Sequence, residues 1–126
     1  MKYEEDKVQQ AICEYLDMKK YLYTFTGGGL IHSARTQRTA NRLGYRKGVS
    51  DLVVWIPQGT VCIEVKKPAT YRYSSKLGRL VVDKPAGKQS DEQKAFQAAV
   101  ERIGGHYYIE ARTVEDVIEF FKKIGI

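Results

Sequence analysis

Between residues 3 and 20 apolar and polar positions follow the helical period. Val8, Ile12, Tyr15 and Leu16 form one stripe, which predicts an amphipathic helix. Glu5 falls within that stripe, Glu4 at its edge and Glu14 on the far side. Residues 21–31 carry aromatics and then three glycines, Gly27 to Gly29, and read as a loop, or as a short strand followed by one. The apolar run 51–56, a turn with Pro57 and Gly59, and the run 60–67 predict two strands joined as a hairpin. Residues 71–74 and 80–82 alternate on either side of Gly78, predicting a β-hairpin arm over 70–84 that ends at Pro85 and Gly87. Ser90 with Gln93 three residues later is a capping box. It opens a helix with an apolar stripe of Phe96, Ala99, Val100 and Ile103, ended by Gly104 and Gly105. Residues 106–109 read as a strand, and Thr113 caps a closing helix that turns Val114, Val117, Ile118 and Phe121 inward.

This order of elements predicts an α/β sandwich in which helices cover a mixed sheet. A length of 126 residues with 43% hydrophobic content suits a single folded domain, 1–126. No apolar run reaches membrane-spanning length, and the charged start MKYEEDK lacks the apolar core of a signal peptide, so a cytoplasmic address is expected. Cys13 and Cys62 form no C-x-x-C pair, which argues against a zinc site or a disulfide framework and for reduced, structural thiols. His32 and His106 have no second histidine at ligand spacing, and His106 is expected to start its strand as a polar residue.

Charge changes the picture through its distribution. Residues 35–88 hold twelve Lys or Arg against the three acids Asp51, Glu64 and Asp83, a local charge of +9 within a chain of net +6. Such a surface suits phosphates. Arg35, Arg38, Arg42 and Arg46 recur at steps of three, four and four, which sets them on one face of a helix over 34–45, within a basic segment 35–47 that also holds Lys47. Like charges at that spacing repel by a few tenths of a kcal/mol per pair. Phosphate contact is the expected role, a solvated basic face the alternative. In the arm Tyr71 and Tyr73 interleave with Arg72, Lys76, Arg79 and Lys84, a combination that can stack on bases and hold backbone, or be buried against a second copy.

The candidate chemistry lies in the central hairpin. Strand alternation puts Glu64 and Lys66 on one face, and with an even loop Asp51 joins them. Two carboxylates suit a hard divalent cation such as Mg2+ or Mn2+, which also takes phosphate oxygens and water. A neighbouring ammonium can orient a nucleophilic water or offset charge building on a phosphate. The plainer alternative is a Glu-x-Lys on the solvated face of an antiparallel strand. Glu5 on the inward stripe suits a cation, but acids in a first helical turn also answer the helix dipole. For Gln93 the cap alone explains the spacing, although its place near the inward stripe gives it reach to the site.

Glu5, Arg38 with Arg42, the run GVSD, Glu64-Val65-Lys66, and Ser90 with Gln93, in this order, resemble the VRR-NUC (virus-type replication-repair nuclease) domain of the PD-(D/E)XK superfamily. The resemblance covers most of the chain. Ser50 stands where the family often has Pro, and a long insert follows Lys66. The resemblance implies a restriction-endonuclease-like sandwich and a metal-dependent DNA endonuclease of bacterial or phage type. Asp51, Glu64 and the Val65 carbonyl would be ligands of Mg2+ or Mn2+, Glu5 an outer or third carboxylate, Lys66 the catalytic amine and Gln93 its support. Arg35, Arg38, Arg42, Arg46, Lys47, Lys67, Arg72 and Lys76 would contact DNA. Relatives of this type imply structure-selective repair cutting of branched DNA, such as four-way (Holliday) junctions or flaps, by a homodimer. The competing reading is a non-catalytic module that binds branched or single-stranded nucleic acid. A structural or partner-binding domain leaves the +9 segment unexplained.

Overall fold

A computed structural model describes residues 3–31 and 33–126, which leaves His32 outside. Helix α1 (Tyr3–Met18) is followed by strand β1 (Leu22–Phe25), a single 3-10 turn (Gly28–Leu30) and helix α2 (Ala34–Arg42). Strands β2 (Leu52–Ile56) and β3 (Gly59–Val65) come next, then the arm strands β4 (Thr70–Ser74) and β5 (Arg79–Lys84). Helix α3 (Asp91–Ile103), strand β6 (His106–Ala111) and helix α4 (Val114–Lys123) complete the order. The main sheet runs β1-β2-β3-β6, with β1, β2 and β3 antiparallel and β6 parallel to β3, so the sheet is mixed as expected.

Alternation along β2 and β3 divides the residues between two layers. Leu52, Val54, Val61, Ile63 and Val65 join Ile12 and Leu16 of α1 and Val117 and Phe121 of α4 in the main core. The opposite face packs Cys62, Val53 and Tyr108 against Val100 and Phe96 of α3. Both cysteines are free, and His106 starts β6 with its Nδ1 2.7 Å from Thr60 Oγ1. The capping boxes at Ser90 and Thr113 are both formed.

Two expectations need correction. The arginine helix stops at Arg42, because Gly44 (φ 104) turns the chain while Tyr45 N donates to Ala40 O and Gly44 N to Asn41 O, a Schellman ending. Arg46 therefore leaves the face of Arg35, Arg38 and Arg42. Ile103, placed inward by its spacing, is 71% exposed in the last turn of α3, beyond the reach of the sheet. Among the described residues no helix is long and apolar enough to cross a membrane.

Candidate active site

The two-residue turn at Pro57 and Gln58 pairs Ile56 with Gly59 and Leu52 with Ile63, a register that carries on to set Asp51 opposite Glu64. Parity alone then puts Asp51, Glu64 and Lys66 on one face, the face that α3 covers. Glu64 is 1% exposed and Lys66 7%. A solvated Glu-x-Lys is ruled out by that burial.

Asp51 ends the β2–β3 ladder with its side chain. Its Oδ2 accepts from Val65 N at 2.8 Å, where the next rung would have used the Ser50 carbonyl, and Ser50 O instead accepts from Thr26 Oγ1 at 2.6 Å. In a strand the N–H and C=O of one residue point to the same side. The Val65 carbonyl therefore faces the Asp51 side, past the end of β2. Glu64 hydrogen-bonds to Asp51 and accepts from Tyr108 OH at 3.2 Å. Burial and the Asp51 carboxylate push the Glu64 carboxyl up to about 9, although Lys66 and the Tyr108 hydroxyl pull it down. Burial and the charge of Glu64 raise the Tyr108 hydroxyl in turn, and Gln89 Nε2 donates to that hydroxyl at 3.2 Å.

Gln93 reaches the site from the first turn of α3. Its Oε1 accepts from Ser90 N at 2.8 Å and from Lys66 Nζ at 2.7 Å, so the capping interaction and the contact with the lysine share one atom. The close approach depends on Gly48, whose φ of 92 favours glycine and whose absent Cβ would fall on the Glu92 backbone. Beside Asp51 a cleft of about 220 Å³ is lined by Gly28, Tyr45, Lys47, Gly48, Val49, Asp51, Ser90 and Gln93. In the glycine loop it is Gly28 that borders this cleft, where an added Cβ would lie 2.6 Å from the Tyr45 hydroxyl.

Not every candidate converges. α1 lies on the other face of the sheet, and among the described residues no three His, Cys, Asp or Glu side chains form a metal-binding group. Glu5 is half-buried in the first turn of α1, outside the Asp51–Glu64 pair as a third direct ligand. Arg35, Arg38 and Arg42 are exposed on α2, which has no buried residue. Arg46 bonds to the neighbouring Tyr45 carbonyl at 3.2 Å, and Lys47 is 3.5 Å from Glu92. Arg72 pairs with Asp83 at 3.5 Å, Lys76 is exposed at the turn of the arm, and Lys67 lies at its root.

Tyr108, Gln89 and Tyr45 were missed from sequence. Tyr108 shares the face of Glu64 only because β6 runs parallel to β3 with Cys62 opposite it. Tyr45 lines the cleft together with Asp51, and burial, then the charges of Asp51 and Glu64, raise its hydroxyl. No periodicity marks a tyrosine in a loop.

The donor set is made of hard oxygens: the free Asp51 oxygen, the Glu64 carboxylate and the Val65 carbonyl, which fits Mg2+ or Mn2+. Burial and the neighbouring Asp51 favour the protonated form of Glu64, so binding of a divalent cation by these residues would be coupled to loss of a proton.

The fold and this face define a restriction-endonuclease-like α/β sandwich. No family profile matches the chain, and no curated protein does. Among solved structures, one described as a VRR_NUC domain protein superposes with a TM-score of 0.65 over 98% of this chain and 88% of its own, at 17% sequence identity. The chain therefore has the fold of a VRR-NUC domain.

Proposed function

We propose that the protein is a metal-dependent endonuclease of DNA, with residues 1–126 forming one nuclease domain. The observation that carries the reading is the buried convergence of Asp51, Glu64 and Lys66 on one sheet face, with Glu64 1% exposed and Lys66 7%. Asp51, Glu64 and the Val65 carbonyl would hold Mg2+ or Mn2+, and Glu5 would reach the ion through water. The ion would acidify a water and polarise the scissile phosphate. Lys66 Nζ, fixed by Gln93, orients the attacking oxygen and offsets the charge that builds on the phosphate. Tyr108 orients the Glu64 carboxylate through its hydroxyl. Lys47 at the cleft, with Arg35, Arg38 and Arg42 on α2, contacts the DNA backbone, an assignment supported by their exposure and by the charge of the 35–88 segment. Lys67, Arg72 and Lys76 extend the basic surface along the arm, and Arg46 borders it.

The finer reading is cutting of branched DNA, four-way junctions or flaps, in the cytoplasm, in the service of repair. Paired cuts across a junction call for a homodimer. The test uses end-labelled junction, flap and plain duplex DNA with and without Mg2+ or Mn2+, beside Glu64→Ala and Lys66→Ala proteins. Metal-dependent cutting that both substitutions abolish while binding persists is the expected result. Tight binding with no cutting in either metal would replace the enzyme by a nucleic-acid-binding module.

A further inference from the structure

The hairpin arm exposes more apolar surface than its own folding requires. Tyr71 pairs with Val82 and Tyr73 with Leu80, so these four share one face. They are 63%, 54%, 65% and 64% exposed, in that order. Among the described residues no other strand or helix packs substantially against the arm. A lone hairpin is marginally stable in water, and apolar residues exposed together mark contact surfaces.

Two observations say what covers this face. Residues 67–88 carry six Lys or Arg against the single acid Asp83, which already pairs with Arg72. A second copy of so basic an arm would be repelled and a polyanion attracted. The arm is also rooted at the candidate catalytic lysine. Gly87 N donates to Lys67 O at 3.0 Å, and a Cβ on Gly87 would lie 3.6 Å from Lys66 Cδ. Whatever the arm holds is held beside the site.

We propose that the arm recognises unpaired DNA bases, with Tyr71 and Tyr73 stacking on them, and so directs the site to places where duplex meets single strand. Alternate residues on one face of a strand are about 6.8 Å apart. That is about twice the 3.4 Å rise per base, so one base fits between the two rings. Leu80 and Val82 give the base an apolar neighbour on the adjacent strand, and the basic side chains hold the backbone. In a fully paired duplex the base faces are already stacked, and the tyrosines gain nothing. The position of the arm at the site rests on the nuclease reading, but base recognition does not.

The test measures fluorescence anisotropy of labelled forked DNA and of plain duplex of equal length, in EDTA and at one salt concentration. It compares the full-length protein with Tyr71→Ala/Tyr73→Ala and Tyr71→Phe/Tyr73→Phe double variants, and sedimentation follows the oligomeric state of all three. The expected result is a wild-type preference for the fork, a loss of about ten-fold or more on the fork alone with alanine, and recovery with phenylalanine. Equal losses on both DNAs, or none, would overturn the proposal. Dissociation of a wild-type dimer by the alanine variant with the fork preference intact would also overturn it and assign the face to a second copy. Parallel cutting assays separate the two readings. A fork preference without metal-dependent cutting removes the nuclease and leaves the arm's role standing, whereas cutting with an unaltered preference does the reverse.

Discussion

At Gln93 one oxygen takes hydrogen bonds from both Ser90 N and Lys66 Nζ, so truncation removes a helix cap and frees a buried lysine together. Ser90→Ala removes the cap alone. Both substitutions are expected to cost about 1 kcal/mol in denaturant melts. Only Gln93→Ala should also lower metal-dependent turnover, by about ten- to a hundred-fold. Equal turnover in the two variants would leave Gln93 as a cap. Glu64 yields a pH dependence of definite sign. Its folded value, about 9, is above its ordinary value of 4.5, so folding favours the protonated form. In metal-free protein this contribution is complete below pH 4.5 and is lost as pH rises through 9. Metal-free protein should therefore lose stability over that window, and Glu64→Gln should flatten the profile. Because cation binding must expel the proton, Mn2+ affinity should rise with pH across the same window. Calorimetry in buffers of different ionisation enthalpy should detect the released proton.

Elements bring these residues together through close backbone approach. Gly48 combines a left-handed φ with contact against the first turn of α3. Gly48→Ala should destabilise the fold by about 2 kcal/mol or more and weaken metal-dependent cutting, since α3 must withdraw and carry Gln93 with it. Helix α2 is the opposite case, capped at both ends and without a buried residue. A triple Arg35→Gln/Arg38→Gln/Arg42→Gln variant should keep its thermal stability. Its DNA affinity should fall less steeply with salt, the log–log slope shrinking by about 0.9 for each phosphate that the variant no longer neutralises. An unchanged slope would make this a solvated face.

For the molecule as a whole, the main core is built from α1, α4 and the four-stranded sheet, and the arm stands outside it. The arm's ends meet through the Gly87 N to Lys67 O bond, so a short glycine-rich linker can replace residues 68–86. Such a protein should melt within a few degrees of the full chain. A large loss of stability would show that the arm supports the core.

The sequence by itself determined most elements and the composition of the pair-and-lysine face. Two-residue alternation makes the faces of β2 and β3 a matter of parity, and local signals such as Ser90 with Gln93 or Gly104 act within a single turn. Even the end of α2 was written locally, in Gly44, where the arginine spacing carried the expected helix too far. Only the tertiary structure decided that Glu64 and Lys66 are buried, that Tyr108 bonds to Glu64 while Tyr45 lines the cleft with Asp51, and that Glu5 lies on the helix of the opposite layer. Those facts depend on which sheet face each helix covers and on the parallel register of β6 with β3. They arise from packing between residues distant in the chain, which short-range periodicity does not encode.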